Sequence, residues 1–497
     1  MNIVERILDN GERYPERIVM ISGDKKLTYG ELINWSGKIA SYIETNADSK
    51  SPVMVYGHKD VLMLPAFLGC IRSGRAYCPV DSSTPAERVR DIADSIDNPM
   101  ILATEELTCL DEERFHIISK DKLREIAEDE GLKEIDPSLQ VKEDDTYYII
   151  FTSGSTGKPK GVEISCDALT FFAQWMTEVA RCGNGSVFIN QAPFSFDLSV
   201  MDTYSALYSA GTIFTLDKEL QKDMGLMFEK MKESKANFWV STPSFADLCM
   251  ADQKFDINLL PELKAFLFCG EKLTKATARK LMERFPNVRI VNTYGPTEST
   301  VAVTDIDITA QMIEDEEELP IGIAKPGTEI VVDPANNELI IKGNTVSKGY
   351  FREPEKTAKV FGNENGIRTY RTGDAGFIKD GVIYYKGRID RQIKLHGYRI
   401  ELGDIEANII DINGVEAACV LPEIDKNGKI KSLIAFVVKP DSEGGFAASK
   451  EIKGELKKKL PSYMVPKKIK FIDKMPVNQN GKADRKKLEE MLRKNSI

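Results

Sequence analysis

The chain reads as an α/β protein: a large N-terminal body of α/β sheets with a β-rich subdomain, followed by a small, mobile α+β C-terminal domain. Three observations predict this. Between residues 223 and 293, short apolar strands alternate with helix-length segments, the pattern of parallel βαβ units. From Glu329 to Tyr385 the sequence is rich in β-formers, with turn signals at Pro334-Ala-Asn-Asn337 and Lys379-Asp-Gly381. Beyond residue 390 the pattern changes to that of a small α+β unit. A chain of 497 residues is too long for one core. The expected division is a body over 1–389 and a C-terminal domain over 390–497, with the boundary at Asp390.

Within the body, Asn237–Val240 predicts a strand that ends at Ser241-Thr-Pro-Ser244. Ala265–Phe268 predicts a second, ending at Cys269-Gly-Glu271. A helix is expected from near Thr274 to Phe285, where Pro286 stops it. Val288–Val291 predicts a third strand, ending at Asn292-Thr-Tyr-Gly-Pro-Thr-Glu298. Ligands of open α/β sheets lie beyond the carboxyl ends of the strands. Thr242, Cys269, Gly270, Tyr294, Thr297 and Glu298 are therefore expected to face one crevice. In the C-terminal domain, helices are expected from about Gly403 and near Lys450–Leu460. Strands are expected near Val415–Leu421, Ser432–Val438 and Lys468–Ile472.

The net charge of -10 argues against nucleic acid as the main partner. One basic cluster stands apart: Lys453, Lys457, Lys458, Lys459, Lys467, Lys468, Lys470 and Lys474. It reads equally as a solvated face or as a docking patch for an acidic partner. The eight cysteines form no CxxC pair and there are three histidines, so buried free thiols are expected rather than a zinc site. The N-terminus lacks the apolar core of a signal peptide, and no stretch has membrane-spanning length. A cytoplasmic location without membrane insertion is expected.

The densest motif is Phe151-Thr-Ser-Gly-Ser-Thr-Gly-Lys-Pro-Lys-Gly161, with three glycines, four hydroxyls and two lysines in eleven residues. Backbone N–H groups and hydroxyls of such a loop can face a phosphate chain while lysines offset its charge. Apolar residues precede it (Tyr147–Ile150) and Val162-Glu-Ile164 follows, so it should link two strands. It is not a Walker P-loop: Gly154 and Gly157 are too close, and Pro159 follows Lys158. A plain surface linker is the bland alternative.

Other segments carry weaker signals. In Asn292–Glu298 an adenine can stack on Tyr294 and bond to the Asn292 amide, with Thr297 and Glu298 offering oxygen to Mg²⁺. Gly295-Pro296 alone would also explain a simple turn. Asp374, in Tyr370-Arg-Thr-Gly-Asp374, can take two ribose hydroxyls. The charged run Gly387–Glu401 and the turn around Lys482 read locally as a connector and a solvated surface.

Taken in order, these segments resemble the adenylate-forming superfamily of acyl-CoA synthetases, luciferases and peptide-synthetase adenylation domains. The match runs from Leu27-Thr-Tyr-Gly-Glu-Leu32 to Gly481-Lys482, essentially the whole chain. The resemblance implies ATP and Mg²⁺. Thr152, Ser153, Thr156 and Lys160 would hold the β/γ-phosphates, Asn292 and Tyr294 the adenine, and Asp374 and Arg388 the ribose. Glu298 with Thr297 would face the metal. Lys482 would bridge the substrate carboxylate and the α-phosphate, which overturns its local reading as a surface lysine. Asp390 would be the hinge between two catalytic states.

The substrate class rests on Asn190–Val200, where Asp197 stands between Phe196 and Leu198. A carboxylate there is costly unless paired, and an α-ammonium would pair it. Family members that activate amino acids carry this aspartate. A helix cap before Val200 is the alternative. Cys269 replaces the small glycine usual in peptide-synthetase adenylation domains. It would shrink the acyl pocket, shared with Val301; the alternative is a buried cysteine that fills a core gap. Together with the absence of a carrier domain after Lys482, this most resembles the D-alanine–D-alanyl carrier protein ligases. The implied partners are D-alanine and an acidic, phosphopantetheinylated carrier protein, in the service of lipoteichoic acid D-alanylation, with a monomer expected. An L-alanine or glycine enzyme, a short-chain acyl-CoA synthetase and a nucleotide sensor remain open at this point.

Overall fold

The computed structural model describes residues 1–47, 49–97, 99–132, 135–154, 158–390, 392–425, 429–440, 445–477 and 483–493. The fold is the α/β arrangement expected, and the chain divides into two compact units. The first comprises Met1–Ser82, Ala93–Phe151 and Gly161–Ile389; the second comprises Ser83–Ile92, Thr152–Lys160 and Asp390–Ile497.

A nine-stranded sheet runs through the first unit. Its central strands Thr212–Thr215, Val187–Asn190, Phe238–Ser241, Ala265–Phe268 and Arg289–Tyr294 run parallel in that spatial order. The helix Lys275–Arg284 forms because Thr274 caps it, accepting from the Thr277 N–H, and it closes at Phe285 before Pro286. The third strand runs to Tyr294 rather than stopping at Val291. It pairs antiparallel with Thr304–Asp307, placing Tyr294 beside Thr304. Trp239, Phe255, Phe266 and Phe285 fill the core on one side of this sheet.

A seven-stranded sheet holds Thr146–Thr152 and Lys160–Ser165 side by side, so the glycine-rich loop does connect two strands. The helix Leu198–Tyr208 is buried from Leu198 through Leu207 and packs on Ile3–Arg13, Cys166–Ala180 and Val187–Asn190. A helix buried on all sides has no solvent for a charged group, which makes its Asp202 conspicuous. The β-rich stretch forms a five-stranded antiparallel sheet around Leu339, Ile341 and Tyr370. Its turns fall at the two predicted places.

In the second unit, Leu402–Ile410 and Gly445–Lys459 pack on the sheet Ala417–Ile424, Ile430–Val438 and Lys468–Phe471. The run read as a charged connector contains an antiparallel hairpin, Gln392–Leu395 with Tyr398–Glu401. All eight cysteines are free and six are buried. Among the described residues no helix is long and apolar enough to cross a membrane.

Candidate active site

The expected crevice residues gather at the carboxyl ends of the parallel strands. Tyr294 ends its strand and donates its hydroxyl to Asp374 Oδ2 at 2.6 Å. Asp374 stands directly opposite Arg388 in the antiparallel ladder, and Arg388 Nη1 donates to Asp374 Oδ1 at 2.9 Å and to the Thr372 carbonyl at 3.0 Å. The strand register thus builds a Tyr–Asp–Arg chain in which the carboxylate is 3% exposed. Burial, and next the Asp374 charge, push the Tyr294 phenol well above its usual range, keeping it a donor. Asn292 is buried and donates its amide to the Pro320 carbonyl at 2.7 Å.

Asp197 is the N-cap residue of Leu198–Tyr208, yet its side chain makes no capping hydrogen bond. Its Oδ2 accepts from Thr297 Oγ1 at 2.6 Å. The capping alternative is therefore corrected: the carboxylate turns toward the Tyr294 strand end. Cys269 follows the strand Ala265–Phe268, is 3% exposed, and its thiol donates to the Val301 carbonyl at 3.6 Å. Thr300 and Val301 both hold positive φ, 59° and 67°, a costly conformation for β-branched residues.

Glu298 is fully buried, and Tyr350 donates its hydroxyl to Glu298 Oε1 at 2.7 Å. Tyr350 pairs with Val162 on the edge of the seven-stranded sheet, two residues past Lys160. The contact ties the strand that leaves the glycine-rich loop to the Tyr294 strand end. Glu298 and Thr297 present hard oxygen donors, a set that suits Mg²⁺. Thr152 closes and Lys160 opens the strands flanking the loop, and Ser153 is buried. Asp390 is exposed and accepts from the Gln392 N–H at 3.0 Å. Thr156 and Lys482 lie outside the described residues.

Two groups of buried charges escaped the sequence reading. Lys59 donates to Asn190 Oδ1 and to the Ala192 carbonyl. His58 Nδ1 lies 2.7 Å from Asp81 Oδ2, which Lys218 also meets through Asp81 Oδ1. The available signal was His58-Lys-Asp60 directly after an apolar strand, a charged run at a strand end. Tyr350 carried no local signal at all.

The family model described as AMP-binding enzyme matches residues 7–351, and that of its C-terminal domain matches 404–482. A D-alanine–D-alanyl carrier protein ligase of Bacillus licheniformis is 44% identical over 504 residues, covering 99% of both chains. One of Listeria innocua is 43% identical over 508 residues with the same coverage. Among solved structures, a Vibrio cholerae adenylation domain in complex with glycyl-adenosine-5'-phosphate superposes with a TM-score of 0.84 at 22% identity. It covers 99% of this chain and 98% of its own. An NRPS protein containing adenylation and PCP domains gives 0.81 at 23% identity, covering 98% and 84%. At those identities the structures speak for the fold, whereas the family models and full-length relatives decide the family. The chain belongs to the AMP-binding enzymes, alongside the D-alanine–D-alanyl carrier protein ligases.

Proposed function

We propose that this ligase activates D-alanine with ATP as D-alanyl-adenylate and passes the D-alanyl group to the phosphopantetheine thiol of a separate carrier protein, supplying lipoteichoic acid D-alanylation in the cytoplasm. The observation that carries the reading is Asp197, a carboxylate at a helix start that leaves the cap and turns to Thr297 at the strand end. It offers an α-ammonium the counter-charge that a fatty acid would not use. The names of the full-length relatives supply the amino acid and its acceptor.

A substrate carboxylate oxygen attacks the α-phosphorus of ATP, forming the mixed anhydride as pyrophosphate leaves. The carrier thiolate then attacks the activated carbonyl, the thioester forms and AMP departs. Catalysis of this kind rests on positioning and charge. Asp374 with Arg388 would hold the ribose, Tyr294 and Asn292 the adenine, and Thr152, Ser153, Thr156 and Lys160 the phosphates. Glu298 and Thr297 would hold Mg²⁺, which when bound offsets phosphate charge. Lys482 would bridge carboxylate and α-phosphate, on a C-terminal domain of residues 390–497 that turns about Asp390 between the two half-reactions. Cys269 and Val301 would narrow the acyl pocket to a methyl group. The lysine cluster would meet an acidic carrier, although Lys458, Lys459 and Lys468 already pair with Glu455, Asp411 and Glu423. The enzyme would act as a monomer.

Amino-acid-dependent ATP–pyrophosphate exchange tests this reading with D-alanine, L-alanine, glycine, D-serine and a short fatty acid. Exchange dominated by D-alanine is expected, and its abolition in Lys482→Ala with ATP still bound. Preference for L-alanine or glycine would move the substrate, and exchange driven by the fatty acid would remove the role of Asp197.

A further inference from the structure

The buried ammonium of Lys59 has no part in the chemistry above, yet it sits under the segment that presents Asp197. Lys59 is 2% exposed and lies shortly after the strand Val53–Tyr56. Its donors reach Asn190 Oδ1 and the Ala192 carbonyl, and its nitrogen stands 4.3 Å from the centre of the Phe194 ring. Asn190 passes the contact on, donating Nδ2 to Asp202 Oδ1 at 2.6 Å. Thr203 Oγ1 donates to the same oxygen at 3.2 Å. Asn190 is the last residue of its strand, and Asp202 belongs to the helix that Asp197 begins. One lysine therefore holds the start of the connection 191–197, touches its middle, and is linked through Asn190 to the helix beyond its end.

Such a site is expensive. A buried ammonium is strongly disfavoured unless acceptors and an opposite charge compensate it, and an apolar side chain of similar size often serves stability as well or better. Burial pushes the Lys59 ammonium down, and the Asp202 charge only partly restores it. Burial likewise pushes the Asp202 carboxyl up. Stability alone is a weak reason for a lysine here. Conformational definition of the connection is a stronger one, because Phe194, Phe196 and Asp197 all project from it.

We infer that Lys59 is a positioning residue for amino-acid recognition: it pins the 191–197 connection so that Asp197 stays aligned to receive the substrate's α-ammonium. This rests on the reading of Asp197 given above. The lysine acts through Ala192, Asn190 and Phe194 and does not touch substrate.

The test is pyrophosphate exchange by the full chain carrying Lys59→Met, Asp197→Asn or both, with D-alanine and ATP varied separately. Lys59→Met is expected to raise the KM for D-alanine about tenfold while the KM for ATP and the saturating rate change by less than about twofold. In the Asp197→Asn background, Lys59→Met should add almost nothing, since both changes act at one contact. An unchanged D-alanine KM, an equal rise in both KM values, or additive losses would overturn the inference. Thermal melting monitors the fold. If Lys59→Met melts too low for assay, Lys59→Gln, with a polar head and a shorter stem, gives the same comparison. If the unmodified chain exchanges with another amino acid instead, the test runs unchanged with that substrate, because the α-ammonium is common to all. Exchange with none of them would overturn both the functional reading and this one.

Discussion

At the scale of single residues, Cys269 is the sharpest handle on stereochemistry. Its thiol is fully engaged at a strand end, donating to the carbonyl of Val301, and a thiol is a weak donor. Shortening it therefore costs little folding energy but would change the shape of the proposed acyl pocket. Differences of one small apolar group in a binding pocket are worth about 1–3 kcal/mol, or roughly 10–200-fold in discrimination. Cys269→Ala is expected to narrow the ratio of D- to L-alanine exchange by about tenfold with melting nearly unchanged. An unaltered ratio, measured with both enantiomers on the same preparation, would remove Cys269 from the specificity argument. Asp197 could be singled out in the sequence because a carboxylate is chemically odd between Phe196 and Leu198, and Cys269 because it stands where the family resemblance leads one to expect glycine. Lys59 could not: the charged run His58–Asp60 marks a strand end but not its partner, and the acceptor Asn190 lies 131 residues away.

At the scale of elements, the turn from Gly295 to Ala302 stores strain where the acyl pocket is proposed. Residues of positive φ follow one another at Thr300 and Val301. The surroundings hold them there: Thr300 Oγ1 donates to the Thr345 carbonyl at 2.8 Å, and the Val303 N–H donates to Tyr294 O at 2.7 Å. The returning chain passes so close to Gly295 that a β-carbon there would lie 2.5 Å from Ala302 Cα and 2.7 Å from the Val301 carbonyl oxygen. Both are backbone atoms and cannot swing aside. Gly295→Ala is therefore expected to lower stability by about 2 kcal/mol or more and to raise the KM for D-alanine, because Val301 must move. A melting curve and exchange kinetics that match the unmodified chain would refute the packing argument. Elements with local punctuation were legible in the sequence, as the helix between Thr274 and Pro286 shows. Elements defined by a distant partner were not. The strand ending at Tyr294 exceeds its apolar run because Thr304–Asp307 pairs with it. The hairpin Gln392–Glu401 hides in a charged segment because its ladder needs backbone groups rather than side-chain patterning.

At the scale of the whole molecule, buried charge makes stability depend on pH with a definite sign. Asp81 follows the strand Tyr77–Val80 of the seven-stranded sheet, and Lys218 begins the helix after the strand Thr212–Thr215 of the other large sheet. Their ion pair, with His58 beside it, joins the two sheets inside the first unit. Burial alone would raise the Asp81 carboxyl, but the His58 hydrogen bond and the His58 and Lys218 charges outweigh it and hold the group well below the usual carboxylate range. A carboxyl depressed in the folded state adds stability above its unfolded value, near pH 4, and loses that stability as the pH falls further. Asp202 contributes with the opposite sign. Burial raises it, so its contribution fades as the pH climbs from about 4 toward neutrality. The two groups can thus be told apart by the direction of their slopes. Asp81→Asn is expected to lower the melting temperature by several degrees at pH 7, with the deficit shrinking once the pH falls below about 4, where Asp81 takes up a proton in the unfolded chain while the folded chain still holds it ionised. A deficit that stays constant from pH 7 to pH 3 would mean that Asp81 acts through packing and hydrogen-bond geometry alone, and that the charge joining the two sheets adds nothing to holding them together.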